Sequence, residues 1–125
     1  MFQSSSIPIP ATASDMERTY ATNVWRALIM ELISHGVPVI STSGNQAQEL
    51  NHLGQQRTNI DTMPSLLASE VPMIPVGSLL QNGELHRFSQ CGPLLVTNAV
   101  GTDIQCIDKV GNLHLKSGSS LCKFT

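Results

Sequence analysis

The sequence predicts an α/β domain: a mostly parallel sheet, a long buried helix and a C-terminal hairpin. Three observations carry that reading. A helical stretch beginning at Ser14 runs directly into a β-branched segment, Val37 to Ser41, that has no polar alternation. Helix followed by a strand covered on both faces is half of a βαβ unit. Two further short apolar runs, Met73 to Val76 and Leu94 to Thr97, supply more strands, and Ile104 to Ile107 with Leu113 to Leu115 flank the turn Val110-Gly111-Asn112 as a hairpin.

In chain order, residues 1 to 13 are rich in Ser, Pro and Ala and read as irregular. Ser14-Asp15-Met16-Glu17 then has the Ser-x-x-Glu spacing in which the first side chain caps a backbone N–H and the fourth reaches back. Tyr20, Val24, Ala27, Leu28 and Leu32 form one apolar stripe, and Trp25, Ile29 and Ile33 form a second. Two stripes predict burial on two sides. His35-Gly36 stops the helix, with Gly36 supplying a left-handed turn and Pro38 preventing continuation.

After the first β-branched strand, residues 45 to 70 are polar and aperiodic, with a turn of helix expected near Ser65 to Ser69. Gly77 is expected to close the Met73 to Val76 strand, Gln81-Asn82-Gly83-Glu84 is a turn, and Phe88 to Gly92 a polar bend. Loops after the carboxyl ends of parallel strands are where such sheets bind ligands.

The 125 residues suffice for one domain and give no sign of two. Charged residues make up only 13% of the chain against 41% hydrophobic, so many surfaces are expected to face protein rather than water. Net charge is -2 and the basic residues are scattered, which leaves no footprint for nucleic acid or an anionic membrane. No apolar run approaches the length of a membrane span, and Met1 to Pro10 lacks the basic start and apolar stretch of a secretion signal. Compartment is not signalled. Cys91, Cys106 and Cys122 are odd in number and lack metal-ligand spacing, so they read as buried small residues.

Two clusters carry candidate chemistry. Ser117-Gly118-Ser119-Ser120 surrounds a hydroxyl with small residues, and Ser41-Thr42-Ser43-Gly44-Asn45 follows an apolar strand and ends in an amide. A nucleophilic serine and an amide donor for the oxyanion are two components of acyl transfer.

The order of these segments resembles the C-terminal half of a subtilisin-like serine peptidase domain. The resemblance covers residues 14 to 122 and rests on five landmarks in order: Gly36-Val37-Pro38-Val39-Ile40 leading to Gly44-Asn45; Ile60-Asp61-Thr62-Met63-Pro64-Ser65; Ile74-Pro75-Val76-Gly77-Ser78; Phe88-Ser89-Gln90-Cys91-Gly92; and Ser117-Gly118-Ser119-Ser120. It implies a partial subtilisin-like fold occupying 1 to 125 as a single partial domain. It also implies Ser120 as nucleophile, where the family reads Gly-Thr-Ser, and Asn45 as oxyanion donor. Ser41, Thr42, Ser43 and Gly44 then form one wall of the substrate pocket. The implied partner is a peptide or protein substrate, and no cofactor is implied beyond the calcium that many full domains bind, for which no dense set of Asp and Glu appears here.

Departures from the family are equally specific. The Asp-x-Gly and His-Gly-Thr motifs that supply acid and base are absent, and His35-Gly36 continues into Val37. His52, His86 and His114 stand in loop or strand contexts and read as surface or edge residues. Ala99-Val100-Gly101 stands where the family usually has Ala-Pro-Gly, Phe124 replaces a proline, and Met1 to Pro10 offers no clean counterpart of the Ser-Leu-Gly segment. These departures predict an inactive fragment that lacks the N-terminal half of its domain, with an unpaired sheet edge, uncovered apolar helix faces and poor solubility. The alternative is a non-catalytic peptide-binding module derived from a peptidase.

Overall fold

A computed structural model describes residues 2–4, 7, 9–10 and 12–121. Four parallel strands form one sheet in chain order: β1 (Phe2–Ser4), β2 (Val39–Thr42), β3 (Ile74–Leu79) and β4 (Thr97–Val100). Ile40 pairs with Ile74, and Val76 with Thr97. The helix α1 (Asp15–Ser34) packs beside β2, a 3-10 helix covers Ser65–Ser69, and β5 (Ile104–Ile107) and β6 (Leu113–Lys116) form a separate antiparallel hairpin.

α1 starts as expected. Ser14 Oγ accepts from the Glu17 N–H at 3.2 Å, and Glu17 Oε2 accepts from the Ser14 N–H at 2.7 Å. The Ser14 N–H first, and the Ser14 side chain second, hold the Glu17 carboxyl below its ordinary pKa. At the other end Gly36 takes φ +73, and Val37 N–H returns to Leu32 O at 3.0 Å.

That bond is why the following strand begins at Val39 rather than Val37. Val37 belongs to the helix cap, and Pro38 has no N–H to offer a ladder. Gly77 does not end its strand, because β4 continues beside it and pairs Asn98 with Gly77. The third expected strand is displaced to Thr97–Val100, since Leu95 N–H turns back to Gly92 O at 3.1 Å. The hairpin forms where expected, and the first segment, expected to be irregular, contributes β1.

The core gathers between α1 and the sheet: Ile29, Val39, Met63, Leu67, Val71 and Met73, with Trp25, Leu32 and Ile33 packed against it. The second helix stripe, Trp25, Ile29 and Ile33, is covered, and of the first only Leu32 reaches the core. Tyr20 is 72% exposed and Leu28 56%, which corrects the expectation of a largely buried helix. Among the described residues α1 has protein on the flank of Trp25, Ile29 and Ile33, so Tyr20, Val24 and Leu28 of the first stripe stay exposed. Cys91 and Cys106 are half-buried rather than buried, and Cys122 lies outside the described residues.

Candidate functional site

Asn45 is placed by the end of β2. Ser43 N–H donates to Val76 O at 2.9 Å, prolonging the pairing with β3, and Gly44 then turns the chain at φ +106. Gln90 N–H holds the Gly44 carbonyl at 3.0 Å. Ser120 arrives from the opposite direction. β4 ends at Val100, and the carbonyl of the next residue, Gly101, accepts from Gly118 N–H at 2.8 Å, while Ser117 Oγ accepts from Asp103 N–H at 3.1 Å. The hairpin thus returns the chain to the carboxyl end of the sheet, and Leu121 N–H closes a turn on Gly118 O at 3.0 Å.

The two segments meet through Ser119. Its N–H donates to Asn45 Oδ1 at 2.9 Å and its hydroxyl donates to the same oxygen at 2.7 Å. A backbone N–H can only donate, so the atom facing it must be the amide oxygen. Asn45 Nδ2 is thereby turned the other way. A Cβ placed on Gly118 would meet Asn45 Nδ2 at 3.6 Å and Ser120 Oγ at 3.7 Å. The amide donor and the serine hydroxyl therefore converge on the small space that Gly118 leaves unfilled.

Beneath that space lies a buried layer of hydroxyls. Ser41, Thr42, Ser43, Thr62, Ser65 and Ser119 are at most 1% exposed. Because Ser119 gives its single hydroxyl proton to Asn45, Thr42 Oγ1 must donate to Ser119 Oγ, and Thr42 Oγ1 accepts from Gly44 N–H at 3.2 Å. Ser65 donates to Thr42 O, so Ser41 donates to Ser65 Oγ at 2.6 Å. Ser89 donates to Gln90 O at 3.3 Å, so Ser43 donates to Ser89 Oγ at 3.2 Å. The side chains of Ser41, Thr42 and Ser43 are thus engaged with protein. Gly44, with no side chain, leaves only backbone on this segment to face a ligand.

Sequence reasoning assigned no role to Ser119, Ser65, Ser89 or Gln90. The available signal was the density of hydroxyl residues directly after an apolar strand, which demands partners once buried.

The four histidines have other surroundings. His35 Nε2 meets Glu31 Oε1 at 3.0 Å and His114 Nε2 meets Asp108 Oδ2 at 2.9 Å, both on exposed faces. His52 lines a cleft of about 300 Å³ with Arg18, Arg57 and Asp61. His86 is half-buried with its ring centroid 3.6 Å from that of Phe88, and burial lowers its pKa, reinforced by Arg87 and opposed by Asp103. A larger cavity, about 410 Å³, lies between α1 and the first segment, lined by Ile9, Trp25 and Met63 among others, and includes none of the residues from 41 to 45 or 117 to 120. No helix is long and apolar enough to cross a membrane among the described residues.

No protein-family profile matches this sequence, and no curated protein sequence does. Solved structures do match. The structure of the prenylagaramide maturation protease PagA superposes with a TM-score of 0.65 at 21% identity, over 96% of this chain and 37% of that one. The self-cleaved protease domain of PatA gives 0.64 at 18% identity, over 94% and 38%. A cold adapted subtilisin-like serine proteinase gives 0.61 at 22% identity, over 77% and 31%.

The class defined by this architecture is the subtilisin-like protease fold. This chain carries a part of it, spanning between 31% and 38% of the length of those solved chains.

Proposed function

We propose that these residues form the nucleophile-bearing part of a subtilisin-like serine endopeptidase acting on peptide or protein substrates. The observation that carries this reading is the convergence of Asn45 Nδ2 and Ser120 Oγ on the space above Gly118. Ser120 Oγ attacks the carbonyl carbon of the scissile peptide bond. The carbonyl oxygen becomes an oxyanion and receives a hydrogen bond from Asn45 Nδ2, whose direction Ser119 sets. The serine proton must pass to a base, and the amine that leaves must receive one. In the proposed parent, the base and its orienting acid come from Asp and His motifs that these 125 residues do not contain, so this stretch alone is inactive. None of these steps calls for a cofactor. Coverage of little more than a third of the matched chains supports placing the acid and base elsewhere in a longer domain.

A non-catalytic module is the second reading, favoured by one feature. β4 pairs with β3 alone as a strand among the described residues, and Thr97 and Asn98 are exposed, so the start of its outer edge is open to an extended peptide.

The test begins with the reading frame on both sides of this sequence. Asp-x-Gly and His-Gly-Thr motifs upstream are expected, and the longer product should be labelled at Ser120 by a serine-directed fluorophosphonate, read by peptide mass spectrometry. Ser120→Ala should abolish labelling. Gly118→Ala should reduce it without unfolding, since the new methyl meets its neighbours at ordinary contact distance while filling the space between them. Unrelated flanking sequence, with peptide binding but no labelling, would replace the peptidase reading with the module.

A further inference from the structure

We propose that Gln90 is a positioning residue: it locks the turn at Gly44 and so determines where Asn45 presents its amide. Its purpose rests on the peptidase reading above, but its test does not require Ser120 to react.

Gln90 has no exposed surface, yet it holds two separate stretches of chain. Its Nε2 lies 2.9 Å from Arg57 O, 2.8 Å from Asn59 O and 2.6 Å from Asp61 Oδ1. The two backbone carbonyls can only accept, so the NH₂ end must face them and the carbonyl end must face away. Away from them is Gly44. A Cβ there would fall inside Gln90 Oε1 and lie 3.0 Å from its Cδ.

Among the described residues Oε1 itself has no hydrogen-bond partner. A buried acceptor without a donor is costly, and two features keep it there: the grip of the other end on three acceptors, and the fit of the oxygen into the hollow of a glycine. Backbone contact reinforces the fit, since Gln90 N–H donates to Gly44 O. Gly44 adopts a φ of +106, a conformation that few residues other than glycine visit. With Oε1 against its Cα and N–H on its carbonyl, the turn is held from two directions, and the next residue is Asn45.

The segment gripped by Nε2 is itself braced. Arg57 Nε lies 2.8 Å from Asp61 Oδ2, its Nη2 lies 3.1 Å from Oδ1, and its Nη1 lies 3.3 Å from Glu49 Oε2. Gln90 therefore transmits the rigidity of the 57–61 segment to the turn that aims Asn45. A filler or a simple staple for residues 57 to 61 would leave Asn45 indifferent to it.

The experiment is amide hydrogen exchange followed by NMR on the full chain, with Ser119 N–H, the donor to Asn45 Oδ1, as reporter. In Gln90→Met, which keeps length but loses both polar ends, Ser119 N–H should exchange at least about tenfold faster. The Asn45 side-chain amide signals should shift toward those of exposed asparagine, while the amides of the β2–β3 ladder stay protected. Loss of protection confined to residues 57 to 61, with Ser119 and Asn45 unchanged, overturns the proposal. The wild-type chain gives a second reading that needs no folded variant. Under mild denaturant, Ile60, Cys91 and Ser119 N–H should open with one common denaturant dependence, and independent opening of Ser119 overturns the proposal.

Discussion

Asn45 Oδ1 accepts two hydrogen bonds from one residue, 2.9 Å from Ser119 N–H and 2.7 Å from Ser119 Oγ. Both donors come from a residue 74 positions away in the chain. Together they determine which end of the Asn45 amide faces Ser120, because a flipped amide would set N–H against N–H.

Ser119→Ala keeps the backbone donor and removes the hydroxyl link between Thr42 and Asn45. Thr42, 1% exposed, then loses its acceptor. The expected loss is about 1–3 kcal/mol, read as a lower denaturant midpoint at unchanged slope. A midpoint equal to wild type would show that the hydroxyl chain does not contribute to stability.

Gly44→Ala and Gly111→Ala form a matched pair. Both glycines have positive φ, +106 and +90, but a Cβ at Gly111 meets nothing within 4 Å whereas one at Gly44 collides with Gln90. Gly111→Ala should cost only the backbone strain, about 1–3 kcal/mol. Gly44→Ala should cost roughly a further 1–3 kcal/mol from overpacking, measured by the difference in chemical denaturation between the two variants.

His86 makes stability depend on pH. Burial lowers its folded pKa below the usual 6.5, so between those values the unfolded chain binds the proton that the folded chain refuses. Its contribution is full above pH 6.5 and is lost as pH falls through the folded value. The thermal midpoint should therefore decline as pH drops below 6.5, and His86→Phe should flatten that decline. The lowered carboxyls Glu17 and Asp108 act below their usual 4.5 and 3.8, outside this window. For Asp108 the chief cause is the Asn112 N–H, followed by the His114 side chain.

Tyr20, at 72% exposure, and Leu28, at 56%, lie on the helix stripe that the described residues leave uncovered. Tyr20→Lys with Leu28→Lys should raise the concentration at which the chain precipitates while changing stability by no more than about 0.5 kcal/mol. A large drop in thermal midpoint would mean that the stripe is packed in solution, for instance against a second copy.

Local rules made much of the fold legible. The Ser14 and Glu17 capping box, the Gly36 stop and the Val110-Gly111-Asn112 turn each act within a few residues, so spacing suffices to read them. The resemblance built on Gly44-Asn45 and Ser117-Gly118-Ser119-Ser120 named the two segments that the fold brings together. The N-terminal strand was not legible, because Phe2–Ser4 becomes a strand by pairing with residues 39 to 41, whereas the Ser, Pro and Ala of residues 1 to 13 argue for irregular chain. Nor did the two-striped helix reveal which stripe would be covered, since apolar spacing shows what can be buried and not what is there to bury it.

By itself the sequence determined where helix and turns begin and end, where apolar runs can form strands, and which hydroxyl and amide groups exist for chemistry. Tertiary structure decided the partners. Thr42 reaches Ser119 across 77 positions, and Gln90 reaches Asn59 and Asp61 across 31 and 29. Such hydrogen bonds depend on strand register and on the meeting of loops at one end of the sheet, where the desolvation of each polar group leaves it dependent on whichever donor or acceptor the fold has brought beside it.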